Sequence, residues 1–106
     1  MSAQDQPIQD LLQRRLALVG TISALTARTH KLIQANSGAE MEILRLKLAL
    51  DRGPVDGDLL PALKAAEDQA ETIRSNQDDC SAKIEAAELA VMEVDRLIEA
   101  AKGEKS

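Results

Sequence analysis

The sequence contains no phenylalanine, tryptophan or tyrosine, although 44% of its 106 residues are hydrophobic. Any core must be built from Leu, Ile, Val, Met and Ala, because the rings that dominate most globular cores are missing. Glycine (5 residues) and proline (3 residues) are too scarce to separate many short strands. Ala, Leu, Glu, Gln, Lys and Arg are abundant instead, which is typical of long helices and coiled coils.

Other scarcities exclude classes of function. A single cysteine excludes an intramolecular disulfide and favours a reducing compartment. No apolar run approaches the roughly 18 residues of a membrane span, and Met1–Asp5 lacks the basic and apolar regions of a signal peptide. The formal net charge of -5, without rings that stack on bases, argues against nucleic acid. We expect a soluble cytosolic or nuclear protein with no membrane, nucleic-acid or small-molecule partner.

The clearest interruption of the chain lies near its midpoint. Gly53 suits the C-terminal cap of a helix, Pro54 prevents the helix from continuing, and Asp58 can cap a following helix. This punctuation predicts a single helical domain over residues 1–106. Its parts are a first arm over 8–51, a turn over 52–57, a second arm over 58–102, and flexible tails over 1–7 and 103–106.

Both arms carry apolar residues at heptad spacing, which predicts a seam between two helices. In an antiparallel pair of helices, the residue numbers of two facing residues add up to a constant. Pairing Leu50 with Leu59 then brings each row of heptad positions in one arm against a row in the other. That register places Thr29 opposite Cys80. The first arm's rows are Ile8, Arg15, Ile22, Thr29, Asn36, Ile43 and Leu50, and Leu11, Leu18, Leu25, Leu32, Ala39 and Leu46. The second arm's rows are Leu63, Ala70, Gln77, Ile84, Val91 and Ile98, and Leu59, Ala66, Ile73, Cys80, Ala87, Val94 and Ala101.

The charge distribution agrees with this register. Residues 1–52 carry a net charge of +2 and residues 53–106 a net charge of -7. Charged pairs that flank a seam select the orientation of helices more than they stabilise it. The predicted neighbours are Arg14 and Arg15 with Glu93 and Asp95, and Arg28 and Lys31 with Asp78 and Asp79.

The predicted fold class is therefore all-α: a long, coiled-coil-like antiparallel two-helix hairpin that can dimerise into a four-helix bundle. Two polar stretches leave an alternative open. If the arms break near Ser37, where Ser37–Glu40 reads as a capping box, and near Ser75, the result is a compact three- or four-helix bundle. We favour unbroken arms, because the heptad seam keeps its phase across both stretches.

Polar residues on the seam have two interpretations. Thr29, Asn36 and Gln77 either fix the register by penalising misaligned partners, or are tolerated on a thin and partly wet seam. His30 and Cys80 lie at the same level, but two soft ligands are too few for a structural zinc site. No serine or cysteine has a base and an orienting group in a recognisable pattern. We therefore expect no enzyme, no metal and no cofactor.

The apolar residues outside the seam say most about how the protein could bind a partner. A two-helix hairpin buries one seam only, so these residues remain for another chain to cover, unless broken arms fold back over them. The covering chain is either a second copy of the protein or a helix of another protein. The predicted partner-binding residues are Leu12, Leu16, Val19, Met41, Leu44, Leu48, Leu89 and Met92.

Two families provide resemblances. Residues 79–89, Asp-Cys-Ser-Ala-Lys-Ile-Glu-Ala-Ala-Glu-Leu, are similar to a helical stretch of tubulin-binding cofactor A. That resemblance implies a three-helix bundle acting as a chaperone for β-tubulin. The heptad spacing from Arg14 to Lys102 resembles the paired-helix N-terminal segment of some retrotransposon Gag polyproteins. From the residues alone, we expect a non-enzymatic interaction or assembly module that works by helix packing.

Overall fold

The computed structural model describes residues 5–53 and 57–103, and these form two helices without any strand. Helix α1 spans Asp5–Asp51 and helix α2 spans Leu59–Gly103. The predicted all-α antiparallel two-helix hairpin is confirmed. Helix α1 begins three residues before the predicted start, because Pro7 is tolerated in a first turn, where the backbone N–H has no helical partner. Residues 5–7 and 103, which the sequence analysis assigns to flexible tails, are therefore helical, and residues 1–4 and 104–106 lie outside the described residues.

Both helices are unbroken, so the alternative of broken arms is wrong. Ser37 and Gly38 lie within α1, and Ser75 lies within α2. Among the described glycines only Gly53 has a positive φ, so Gly38 keeps helical backbone geometry. The capping-box pattern at Ser37 is a local preference worth about 1 kcal/mol, and the continuous seam outweighs it.

The end of α1 follows the prediction from sequence. Gly53 has a φ of 138°, a conformation that L side chains rarely adopt. The Arg52 N–H donates to the Ala49 carbonyl at 3.4 Å, which closes the last turn. Across the turn, the Asp58 carbonyl accepts from the Ala62 N–H at 3.1 Å, as expected of a residue that precedes a helix. Pro54, the predicted helix stop, lies outside the described residues.

Packing divides the chain into two units, which we describe separately. Unit 1 combines Met1–Ala27 with Ser81–Ser106, and unit 2 is Arg28–Cys80. Every buried residue in the described part of each unit lies on the predicted seam. In unit 1 the buried residues are Ala87, Val94 and Ile98, and in unit 2 they are Leu46, Ala66, Ala70, Ile73 and Cys80.

The seam is asymmetric in both units. In unit 1, Val94 of α2 is only 1% exposed, whereas Leu18 and Leu25 of α1 are half-buried. In unit 2, Ala70 of α2 is fully buried, while Leu32 of α1 is half-buried. At these positions the seam residues of α2 are thus more completely buried than those of α1.

We expect the substitution Gly38→Ala to raise the free energy of unfolding by about 0.5–1 kcal/mol, because glycine is unfavourable inside a helix. A Cβ atom at Gly38 would meet no atom within 4 Å, so the added methyl group causes no clash. Urea denaturation followed by circular dichroism measures this change.

Gly53→Ala is the matched control of opposite sign. Its positive φ should make alanine destabilising by about 1 kcal/mol or more. If Gly38→Ala destabilised the chain instead, α1 would not run through residue 38 as a regular helix.

Candidate interaction surface

All eight apolar residues that the sequence places outside the seam are exposed. Their exposed fractions run from 38% for Val19 to 73% for Leu16. The structure adds Ile33 and Leu60, which are also exposed and which the sequence-based list lacks. Ile33 directly follows the seam residue Leu32, and Leu60 directly follows the seam residue Leu59. Both therefore lie beside the seam, but a single partner helix does not bury them.

Five of these residues lie in unit 1, and we call them the unit 1 face: Leu12, Leu16, Val19, Leu89 and Met92. On α1, the spacings of four and three residues place Leu12, Leu16 and Val19 in one stripe. On α2, Leu89 and Met92 are three residues apart and therefore neighbours. Each helix of unit 1 thus exposes a continuous apolar stripe to solvent.

An ion pair shows that the two stripes share one side of the seam. Arg15 Nε donates to Asp95 Oδ1 at 2.7 Å, which confirms the predicted neighbourhood of these residues. Leu12 and Val19 flank Arg15 at three and four residues, and Met92 lies three residues before Asp95. The ion pair therefore lies amid the exposed apolar residues of both helices. Both charged side chains are almost half-exposed, so the pair contributes orientation more than stability.

The exposed apolar residues of unit 2 form the unit 2 face: Ile33, Met41, Leu44, Leu48 and Leu60. An ion pair borders this face on α1, where Arg45 follows Met41 by four residues. Arg45 donates twice to Glu42, with Nη2 to Oε1 at 2.6 Å and Nε to Oε2 at 3.0 Å. The hydrogen bond from Arg45 lowers the pKa of the Glu42 carboxyl. Both side chains are exposed beside this face.

The polar seam residues test the predicted register within unit 2. Thr29 Oγ1 and Cys80 Sγ are 3.2 Å apart, which confirms that they face each other. Asn36 is half-buried and its Nδ2 donates to Glu40 Oε1 at 3.2 Å, while its Oδ1 is buried without a hydrogen-bond partner. An unpaired buried oxygen destabilises the fold, so Asn36 is tolerated in this register at a cost. The contact with Cys80 fits the interpretation of Thr29 as a residue that fixes the register.

The two soft-ligand residues that the sequence singles out do not come together in the described part of the chain. Within residues 5–53 and 57–103, no group of three or more His, Cys, Asp or Glu side chains could hold a metal ion. His30 is exposed on α1, whereas Cys80 is buried in the seam against Thr29. Neither helix, over its described length, has a stretch apolar enough to cross a membrane. The interaction that this surface offers is apolar contact.

Comparison with known proteins gives no relative: no family model, curated protein or solved structure matches the chain. The resemblance to tubulin-binding cofactor A implies three helices, but the described residues form two. The architecture implied by that resemblance is therefore wrong. The exposed faces of the two units remain the best-defined candidate site.

Proposed function

We propose that this protein is a non-enzymatic interaction or assembly module that works by helix packing. The observation that carries the proposal is the exposure of ten large apolar side chains, which form one face in each unit. Single exposed apolar residues are ordinary, but contiguous stripes on paired helices mark surfaces that another chain covers. Burial of these stripes supplies the affinity, and the unequal charges of the two arms influence the orientation of the partner.

The small core supports the same proposal. Only eight apolar residues in the described part of the chain are buried. A single seam of this kind supplies little free energy to offset the entropy lost by ordering about a hundred residues. Covering the exposed faces adds roughly 25 cal/mol for each Å² of apolar surface removed from water. Association would therefore stabilise the fold as well as perform the function.

Photo-crosslinking in the cells that normally produce the protein tests the proposal. A benzophenone amino acid at Leu16 or Leu44 should form crosslinked adducts of defined mass, because these side chains would be buried against another chain. Thr72 is the matched control, since it is exposed on α2 and its hydroxyl donates to the Asp68 carbonyl of its own helix. We expect far fewer adducts from that position.

Adducts that are absent from Leu16 and Leu44, or equally frequent from Thr72, would contradict the proposal. A chaperone role of the kind implied by the cofactor A resemblance would use the same faces on a client subunit. It would give adducts that disappear when synthesis of new client protein is stopped.

A further inference from the structure

An acidic row borders the unit 1 face on α2. Glu85 and Glu99 lie seven residues before and after Met92, and Glu88 lies four residues before it. These spacings place the three glutamates on the same side of α2 as Met92. All four side chains are exposed. Met92 therefore lies within a row of carboxylates, which we call the acidic row: Glu85, Glu88 and Glu99.

The acidic row lies beside the apolar stripe of α1. Arg15 Nε and Asp95 Oδ1, which are 2.7 Å apart, fix the level at which the two helices of unit 1 meet. Counting one turn along each antiparallel helix from this pair brings Val19 level with Val91, which adjoins Met92. A helix lying along this side of unit 1 would thus contact the stripe of α1 on one flank and the acidic row of α2 on the other.

The chain itself leaves part of the acidic row without a counter-charge. From Leu16 to Ala27, α1 contains no ionisable side chain. In the described part of the chain, no cationic side chain forms an ion pair with Glu85 or Glu88, whereas Glu99 Oε1 lies 3.9 Å from Lys102 Nζ. The carboxylates of Glu85 and Glu88 are therefore available to a partner.

The charge of the acidic row selects among apolar partners. The α1 stripe alone accepts any apolar surface, because apolar burial is non-directional. A helix with acidic residues beside its own apolar stripe would bring like charges against Glu85 and Glu88, and a helix with lysine or arginine there would bring opposite charges. Exposed ion pairs add little affinity each, but their sign decides which partner is accepted.

We propose that the unit 1 face binds an amphipathic helix of another protein in which lysines or arginines flank the apolar stripe. The apolar side chains of that helix pack on Leu16, Val19 and Met92, and its cations lie beside Glu85 and Glu88. The complex is a three-helix arrangement of the helix-in-groove kind. This inference rests on the proposed function and names the chemistry of the partner.

Fluorescence anisotropy of the purified full-length chain with two synthetic peptides tests the proposal. Each peptide has about 20 residues and leucines at heptad spacing, which form an apolar stripe. One peptide carries lysines on the flanks of the stripe, and the other carries glutamates. We expect the lysine peptide to bind at least about tenfold more tightly in about 0.15 M salt, and about 1 M salt should reduce this ratio.

Substitutions in the chain show whether the lysine peptide binds the unit 1 face. Glu85→Gln with Glu88→Gln should weaken its binding about fivefold. Glu67→Gln with Glu71→Gln is the matched control, since it removes the same charge from exposed residues of α2 in unit 2, and we expect a change of less than about twofold. Leu16→Gln should weaken binding at least about tenfold, because it removes apolar contact from the stripe. Circular dichroism should show unchanged helicity, since none of these positions lies on the seam.

Equal affinity for the two peptides, equal effects of the two double variants, or no binding of the lysine peptide up to about 300 µM would overturn the proposal. So would Leu16 adducts in cells that contain only a second copy of this chain. If Leu16 forms adducts with another protein, and these persist undiminished when Glu85 and Glu88 are replaced by glutamine, the proposed function stands and only this inference fails. If Leu16 forms no adducts at all, both fail.

Discussion

Replacing Val94 by aspartate is expected to destabilise the chain by about 3–5 kcal/mol, the cost of burying a charge without a partner. Val94 is only 1% exposed, and it lies on the seam of unit 1. The nearby Asp95 repels a new carboxylate, and its partner Arg15 is already engaged in an ion pair. We expect the helical signal at 222 nm to be largely lost without denaturant, since small helical domains have little stability in reserve.

Ala86→Asp is the matched control for this variant. It introduces the same residue into the same helix and unit, but at an exposed position. Only the weaker helix propensity of aspartate should then lower the free energy of unfolding, by roughly 0.5 kcal/mol. Equal effects of Val94→Asp and Ala86→Asp in urea denaturation would show that Val94 is not in the core.

Replacing Ala70 by leucine should lower the free energy of unfolding by about 1–3 kcal/mol, even though it adds an apolar side chain. Ala70 is fully buried in unit 2, so three extra carbon atoms can be accommodated only if the helices separate or side chains leave their preferred rotamers. Leucine and alanine have similar helix propensities, so the expected loss reports on packing alone.

The comparison for Ala70→Leu is Ala65→Leu, an exposed alanine of the same helix and unit. We expect this variant to stay within about 0.5 kcal/mol of the wild type. A seam slipped by one or two residues would move Ala70 toward solvent and make its substitution by leucine harmless. Unchanged stability of the Ala70 variant would therefore contradict the register.

Much of this fold could be predicted from the heptad pattern, because burial between two helices repeats every seven residues. Val94, Ala70 and the other buried residues of the described chain all belong to the predicted rows. The Thr29–Cys80 contact follows from counting outward from the turn. The continuity of α1 through Gly38 was harder to predict, since local preferences favour a break and only the summed packing along the seam overcomes them. The length of the first helix was underestimated because Pro7 was assigned to a tail.

The exposure of the candidate site was predictable for the same reason, since residues outside the seam have no partner in a two-helix hairpin. Ile33 and Leu60 also lie outside the seam and are exposed, although the predicted partner-binding residues do not include them. The heptad pattern does not say which chain covers the faces. Apolar burial is non-directional and roughly proportional to area, so it identifies a surface to be covered without specifying the covering chain.

The central claim, that another chain covers the apolar faces, can be tested without any substitution. Met92 is 66% exposed within the single chain, and methionine in a covered face is oxidised slowly because peroxide cannot reach its sulfur. Mass spectrometry can follow its oxidation by hydrogen peroxide in freshly opened cells and in the urea-unfolded chain. We expect Met92 to react at least about tenfold more slowly in the cell extract, where the assembly is intact. Rates that agree within about twofold would mean that solvent reaches this face freely, and would contradict the account.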